Sequence, residues 1–270
     1  MKISIVLTPT KSKFSPMFYA GNLEHGMKKA SELGYDGVEL NIRDSSKVDQ
    51  NKIIQLSKDY NLNIISMGTG QAYYEEGISL ASADSNIQEK TYSRLKDHID
   101  FANKMGSQVV LGSIRGKFGS NKNIRKKQEN KAYETVKKCV KYAEESDVTL
   151  TIESINYQDT NFINTTYDAI DYINKFSSDN IKLLIDTFQL ELQGENINDS
   201  IKKAKDLLVH IHLVDSDRKI PGQGNIDFKE VIKYLKDVNY RGFLSAEIIP
   251  LPNDDTAAKE YIDAVRELIK

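Results

Sequence analysis

The stretch His210–Phe228 reads HIHLVDSDRKIPGQGNIDF. It opens inside a short apolar run, Leu207 to Val214, interrupted only by two histidines. Side chains on a strand alternate between its two faces. His210 and His212 therefore share one face, and Ile211 and Leu213 share the other. The run then meets Asp215, Asp217, Arg218 and a Pro-Gly-Gln-Gly turn. A buried strand that empties into a polar loop is where a parallel α/β protein places its chemistry. A hydrogen-bonded core histidine is the structural alternative for either ring, and the rest of the chain has to decide.

Outward from this stretch, short apolar runs alternate with helical patterns. Strands are expected at Ile3–Leu7, Gly37–Ile42, Leu62–Met67, Gln108–Leu111, Val148–Glu153, Ile181–Asp186, Leu208–Val214 and Gly242–Ile248. A long loop carrying Pro9, Pro16 and Gly21 follows the first strand, and Asn22 is placed to cap the first helix, which Gly34 ends. Gly68–Tyr73 reads as a loop, and Ser85 with Gln88 as a capping box. Leu95, Ile99, Ala102 and Met105 form the inner stripe of a long helix that Gly106 stops. The basic segment Arg115–Lys127 reads as a solvated face, because acidic neighbours balance it. Further helices carry Val136, Val140 and Ala143, then Ala169, Ile170 and Ile173, and a weak one spans Ser200–Lys205. Phe228–Val238 and Asp255–Ile269 complete the pattern.

Strand–helix alternation implies parallel strands, and eight such units close into a barrel without edges. The expected architecture is α/β, a single (β/α)8 TIM barrel over residues 1–270. An open doubly wound sheet is the alternative, but no glycine-rich phosphate turn follows the first strand. Composition agrees with one globular enzyme-sized unit. The 270 residues carry a formal charge of -2, from 37 basic and 39 acidic side chains. That balance offers no footprint for nucleic acid or for an acidic membrane. A single cysteine, Cys139, excludes an intrachain disulfide. Ile3–Leu7 is too short for a signal sequence and no window approaches a membrane span, so a cytoplasmic protein is expected.

The ends of the last four strands carry the chemistry. Glu153 closes the fifth, Asp186 the sixth, and His212 and Glu247 lie late in the seventh and eighth. Their separations of 33, 26 and 35 residues are each about one β/α unit. In a barrel, four adjacent strands then hold three carboxylates and an imidazole on one rim. Any one of these acids could simply cap the next helix. Three carboxylates crowded together would repel, and a divalent cation removes that repulsion. Three oxygen ligands and one imidazole suit Mn²⁺, with Co²⁺ or Mg²⁺ as alternatives, better than a structural zinc site.

Several segments resemble the xylose isomerase-like barrel superfamily, also called sugar-phosphate isomerase/epimerase. They are LGYDGVELNIRD at Leu33–Asp44, the MGTGQAY loop, TNFINT at Thr160–Thr165, IDTF at Ile185–Phe188, HIHLVDSDR and PGQGNIDF. Within it the sequence is most similar to the ketose 3-epimerases of the D-tagatose 3-epimerase kind, and especially to 5-keto-L-gluconate epimerase. The resemblance implies that Glu153, Asp186, His212 and Glu247 are the metal ligands, and that Glu153 and Glu247 are also the catalytic carboxylates. It implies that Arg218, Gln189, Asp159, Asn156 and Gln71 contact substrate. The chain departs from the family at three of the neighbouring positions. Asp159 stands where glutamate is usual, Gln189 where the epimerases have histidine, and Tyr157 replaces an arginine in ESINYQD. These changes touch the sugar-gripping loops and leave the ligand set whole.

The implied reaction is inversion of the carbon beside a ketose carbonyl through a cis-enediolate, on a free ketose or a keto-acid sugar such as 5-keto-L-gluconate or tagaturonate. The fork of Arg218 suits a carboxylate, although Asp215 and Asp217 beside it offer plain salt bridges. An aldose–ketose isomerase or an inosose-type dehydratase would use the same ligands. A DNA-repair endonuclease of the superfamily resembles a three-zinc site rich in histidine, and this chain has only His25, His98, His210 and His212. A non-catalytic sugar-binding protein would have no need of both Glu153 and Glu247. Association into a homo-oligomer is expected by analogy alone.

Overall fold

The computed structural model describes residues 1–12 and 16–270. The middle of the loop expected after the first strand thus lies outside the described residues. Among these, eight parallel strands close into a barrel in sequence order. The chain runs through β1 (Lys2–Leu7), α1 (Leu23–Leu33), β2 (Gly37–Asn41), α2 (Gln50–Asp59) and β3 (Asn63–Gly68). It continues through α3 (Gly70–Glu76), α4 (Ser85–Met105), β4 (Gln108–Leu111), α5 (Lys122–Glu145), β5 (Leu150–Glu153) and α6 (Thr166–Ile173). The last part holds β6 (Ile181–Asp186), α7 (Thr187–Gln193), α8 (Ile197–Ala204), β7 (Leu208–His212), α9 (Phe228–Asp237), β8 (Phe243–Ala246) and α10 (Asp254–Ile269). The sheet closes where Ser4 of β1 pairs with Ser245 of β8.

The strands are short and almost wholly buried because each is covered by helices outside and by side chains inside. The helices present apolar stripes to the sheet. On α9, Phe228, Val231, Ile232 and Leu235 are buried at helical spacing, each contributing about 1.5–3 kcal/mol on leaving water. On α4, Leu95, Ile99 and Ala102 face inward as their spacing predicts, and Met105 is half-buried. No helix among the described residues is long and apolar enough to cross a membrane.

The local expectations fail in four places. Asp84, not Ser85, caps α4 by accepting from the Asn86 amide. Gln88 is drawn away from any capping box, because its amide donates to the Leu80 and Ser82 carbonyls. Asn22 occupies the cap position of α1 without a side-chain cap bond. Of Gly68–Tyr73, expected as loop, the part from Gly70 onward belongs to the helix α3, Gly70–Glu76.

The fourth difference is the largest. Arg115, expected on a solvated face, is among the largest fully buried side chains. Its guanidinium donates to the carbonyls of Leu111, Phe162 and Ile163, and so ties the end of β4 to the segment after β5. Burial lowers its pKa to about 10 against the opposing pull of Glu153, so it stays charged. Charge balance along the sequence said nothing of three inward carbonyls. Arg115→Leu should lower the unfolding free energy by about 3 kcal/mol, since buried carbonyls lose their donors. Denaturant titration of the two proteins measures this, and a loss under about 1 kcal/mol would assign the carbonyls other partners.

Candidate metal centre

Strand register puts the quartet on one face. Glu153 of β5 pairs with Leu184 of β6. Asp186, two residues on, pairs with His212 of β7, and His212 pairs with Ser245 of β8. Glu247 follows Ser245 by two. Alternation therefore turns Glu153, Asp186, His212 and Glu247 into the barrel at its carboxyl end. Glu247 lies one residue beyond β8 as the structure draws it, and the other three belong to their strands. A register shift at Leu183/Leu184 bends β6 and β7 just below.

The four side chains are buried, and one ligand atom from each lies within 4.8 Å of the others. His212 Nδ1 is the hub. It stands 3.9 Å from Glu153 Oε1, 3.9 Å from Asp186 Oδ2 and 3.6 Å from Glu247 Oε2. Burial pushes Glu153 up to about 8, with Glu247 adding to the effect. Burial also lifts Asp186 to about 6, against the attraction of His212. The His212 ring is disfavoured as a cation by burial, yet the carboxylates of Glu39 and Glu247 outweigh this and raise it well above an ordinary histidine. The side chains share too few positive charges among too many negative ones.

The donor set fits a divalent cation. Two of its atoms, Asp186 Oδ2 and His212 Nδ1, are buried without a hydrogen-bond partner among the described residues. Buried polar atoms of native proteins are almost always partnered. The other Asp186 oxygen accepts from the Phe188 amide at 2.9 Å, which leaves Oδ2 turned inward. Three carboxylate oxygens and one imidazole nitrogen match the ligand preferences of Mn²⁺ and its neighbours.

The loop after β7 is built around another carboxylate. Asp215 accepts from the amides of Ser216, Gly222, Gly224 and Ile226, at 2.7–3.2 Å. These bonds hold its pKa below the ordinary carboxylate range against the effect of burial. A Cβ on Gly224 would meet Asp215 Oδ1 at 2.4 Å, so only glycine admits this arrangement. Arg218 is held in the left-handed region at φ 59°. Its amide donates to Asp215 O and its carbonyl accepts from Ile249 N, both at 2.9 Å. The guanidinium lies over the Phe188 ring, 4.9 Å from its centre, and donates to Glu247 Oε2 at 2.8 Å. Its Nε is buried and has no partner among the described residues. Neither neighbouring aspartate takes the guanidinium, since Asp217 pairs with Lys219 instead.

Of the other candidates, Asn156, Asp159 and Gln189 form one row beside Glu153. Asn156 donates through Nδ2 to Asp159 Oδ2 and to Gln189 Oε1, each at 2.7 Å. Tyr157, where the family has arginine, is 65% exposed and leaves this row to its neighbours. Gln71 is buried elsewhere on the rim. Its amide donates to Thr8 Oγ1 and accepts from Thr10 Oγ1, which pins the loop after β1 to α3.

Two contributors escaped sequence reasoning. Glu39 on β2 receives the Nε2 atoms of both His210 and His212 on one oxygen, at 2.8 and 3.1 Å. Within GVELN it reads as one polar residue in a buried run, and its partners lie more than 170 residues away. Its parity was the available signal, because Val6 pairs with Glu39 and Ser4 with Ser245. Gly112 is the second. A Cβ there would meet Glu153 Oε2 at 2.5 Å, so this glycine is the room in which the carboxylate stands.

The chain is similar to known proteins along most of its length. D-psicose 3-epimerase of Enterocloster bolteae is 28% identical over 80% of this chain and 73% of its own length. L-ribulose 3-epimerase of Mesorhizobium japonicum is 26% identical over 83% of this chain and 75% of its own. The crystal structure of D-allulose 3-epimerase from Methylomonas sp. shares the fold with a TM-score of 0.81 at 20% identity, covering 99% of this chain and 98% of that one. The family described as Xylose isomerase-like TIM barrel matches residues 27–268. With that match over most of its length, and with the barrel and its rim as described, the chain belongs to the xylose isomerase-like TIM barrel family.

Proposed function

We propose that the chain is a metal-dependent ketose 3-epimerase. That it is an enzyme rests on its family and on curated relatives named as epimerases. The observation that carries the reaction is the buried meeting of two glutamates, Glu153 and Glu247, within one potential ligand set. A protein that only bound sugar would have no use for both. A three-zinc endonuclease would call for more imidazoles than His212 contributes.

Glu153, Asp186, His212 and Glu247 would hold a divalent cation, Mn²⁺ by preference, which would supply Lewis acidity at the sugar carbonyl. The protein's own groups do the rest. One glutamate takes the proton from the carbon beside the carbonyl, and the other returns a proton to the opposite face. Their placement on β5 and just past β8, with β6 and β7 between, supports approach from two directions. Arg218 braces Glu247 and offers its unpartnered Nε to a substrate oxygen. Asn156, Gln189 and Asp159 line up beside Glu153 to receive hydroxyls, and Gln71 fixes the loop after β1 that completes the rim. Because Glu247 already engages the Arg218 fork, and the relatives are named for neutral ketoses, a free ketose is favoured over a keto-acid sugar.

Incubation with Mn²⁺ and a panel of ketoses and keto-acid sugars in deuterated water should put one solvent deuteron on C3 of a free ketose. Exchange at C1 or loss of water would assign an isomerase or dehydratase instead, and no exchange with any sugar would end the proposal. Glu153→Gln and Glu247→Gln should each lower kcat by at least about 100-fold while the far-ultraviolet circular dichroism stays unchanged. Near-normal turnover in either variant would remove that residue from proton transfer.

The raised Glu153 also links metal to pH. A carboxyl whose folded pKa lies above its unfolded value stabilises the fold at low pH and loses that contribution as pH rises through the folded value. Without metal, the melting temperature should fall as pH rises from 4.5, where the unfolded carboxyl ionises, to about 8, where Glu153 gives up its proton in the fold, and then level off. Added Mn²⁺ should raise it more at the upper end, because protons no longer compete for the ligands. Calorimetric scans at the two ends measure this; equal shifts at both would exclude protonated ligands in the metal-free protein.

A further inference from the structure

We propose that Glu39 is a positioning residue for the cation site, acting through His212. The inference rests on the reading that the quartet holds a divalent cation. A neutral imidazole carries one donor nitrogen and one acceptor nitrogen, and the bond made by one decides the role of the other. His212 Nε2 faces Glu39 Oε2 at 3.1 Å. An ionised carboxylate only accepts, so Nε2 carries the hydrogen. Any hydrogen on Nδ1 is then the one an incoming cation displaces, and the freed lone pair faces Glu153, Asp186 and Glu247, which is the form that ligates. Were that hydrogen kept, the ring could not serve as a ligand.

His210 completes the device. Its Nε2 donates to the same Glu39 oxygen at 2.8 Å, and the two rings stand nearly perpendicular, at 87°. One oxygen thus receives two N–H groups that approach from different directions, which fixes the carboxylate along the His212 bond. Glu39 and both histidines are buried to within 1% exposure. The alternation that turns His212 into the barrel also turns His210 the same way one step deeper, and Glu39 crosses the interior from β2 to meet both. A carboxylate behind a ligating imidazole holds the ring and raises its basicity, and loss of such a group typically weakens metal binding by about 10- to 100-fold.

Mn²⁺ titration followed by electron paramagnetic resonance, on the full chain, tests this without turnover. E39A should weaken Mn²⁺ binding by about 10- to 100-fold, E39Q by less because its carbonyl still accepts from Nε2, and H210N by an intermediate factor. Ring ¹⁵N–¹H correlation spectra of the protein loaded with diamagnetic Mg²⁺ add a signature that a merely structural role would not move. His212 should be the Nε2–H form in the unaltered chain and a mixture in E39A. Should E39A not fold, E39Q, which matches glutamate in shape, decides the question together with H210N. Mn²⁺ affinity within about twofold of the unaltered chain, in folded E39Q and H210N, with the ring form unchanged, would overturn the role of Glu39. Failure of the unaltered chain to bind Mn²⁺ would instead remove the cation reading, and this role with it.

Discussion

Three carboxylates cannot stand buried and all ionised within a few ångströms of one another unless positive charge stands among them. Here it comes from His212 at the hub and from Arg218, which donates to Glu247. The rest of the rim follows from that constraint. Glu39 lies behind the imidazole, Gly112 leaves room for Glu153, and Arg115 sets a buried guanidinium within the electrostatic reach of the same glutamate. A divalent cation at the quartet would leave one net negative charge, and the Arg218 guanidinium would cancel it.

The barrel and the quartet were legible in the sequence for one reason. Both are written in short-period patterns: alternation along a strand, and one β/α unit between successive strand ends. Glu153, Asp186, His212 and Glu247 stand out because each ends an apolar run or lies late in one, at the same point of its unit. Arg115 and Glu39 did not, because their partners are set by the closed barrel. Arg115 meets carbonyls almost fifty residues along the chain, and Glu39 meets β7 across the interior. The α3 segment was misread for a local reason. Seven residues that begin with one glycine and are stopped by another are too few to display a helical stripe.

The site divides its work between strands and loops. The expected metal ligands come from strand ends, whose positions the sheet register fixes. The groups proposed to grip the sugar come from the segments after β3, β5 and β7 and from the start of α7. All three departures from the family pattern, at Tyr157, Asp159 and Gln189, fall in this second set. On the proposed reading, chemistry and substrate choice would vary separately on this scaffold, since a change in the loops leaves the strand-end carboxylates in place.

The ring of amides around Asp215 bears on recognition as well as on shape. A loop with four backbone donors converging on one carboxylate has little freedom left to lose. Arg218 stands at its tip in a backbone conformation that few arginines adopt. Its ordering entropy is surrendered when the chain folds rather than at each encounter with a sugar. If Arg218 grips the sugar as proposed, discrimination at this edge of the barrel would work by fit to a side chain whose backbone is already ordered.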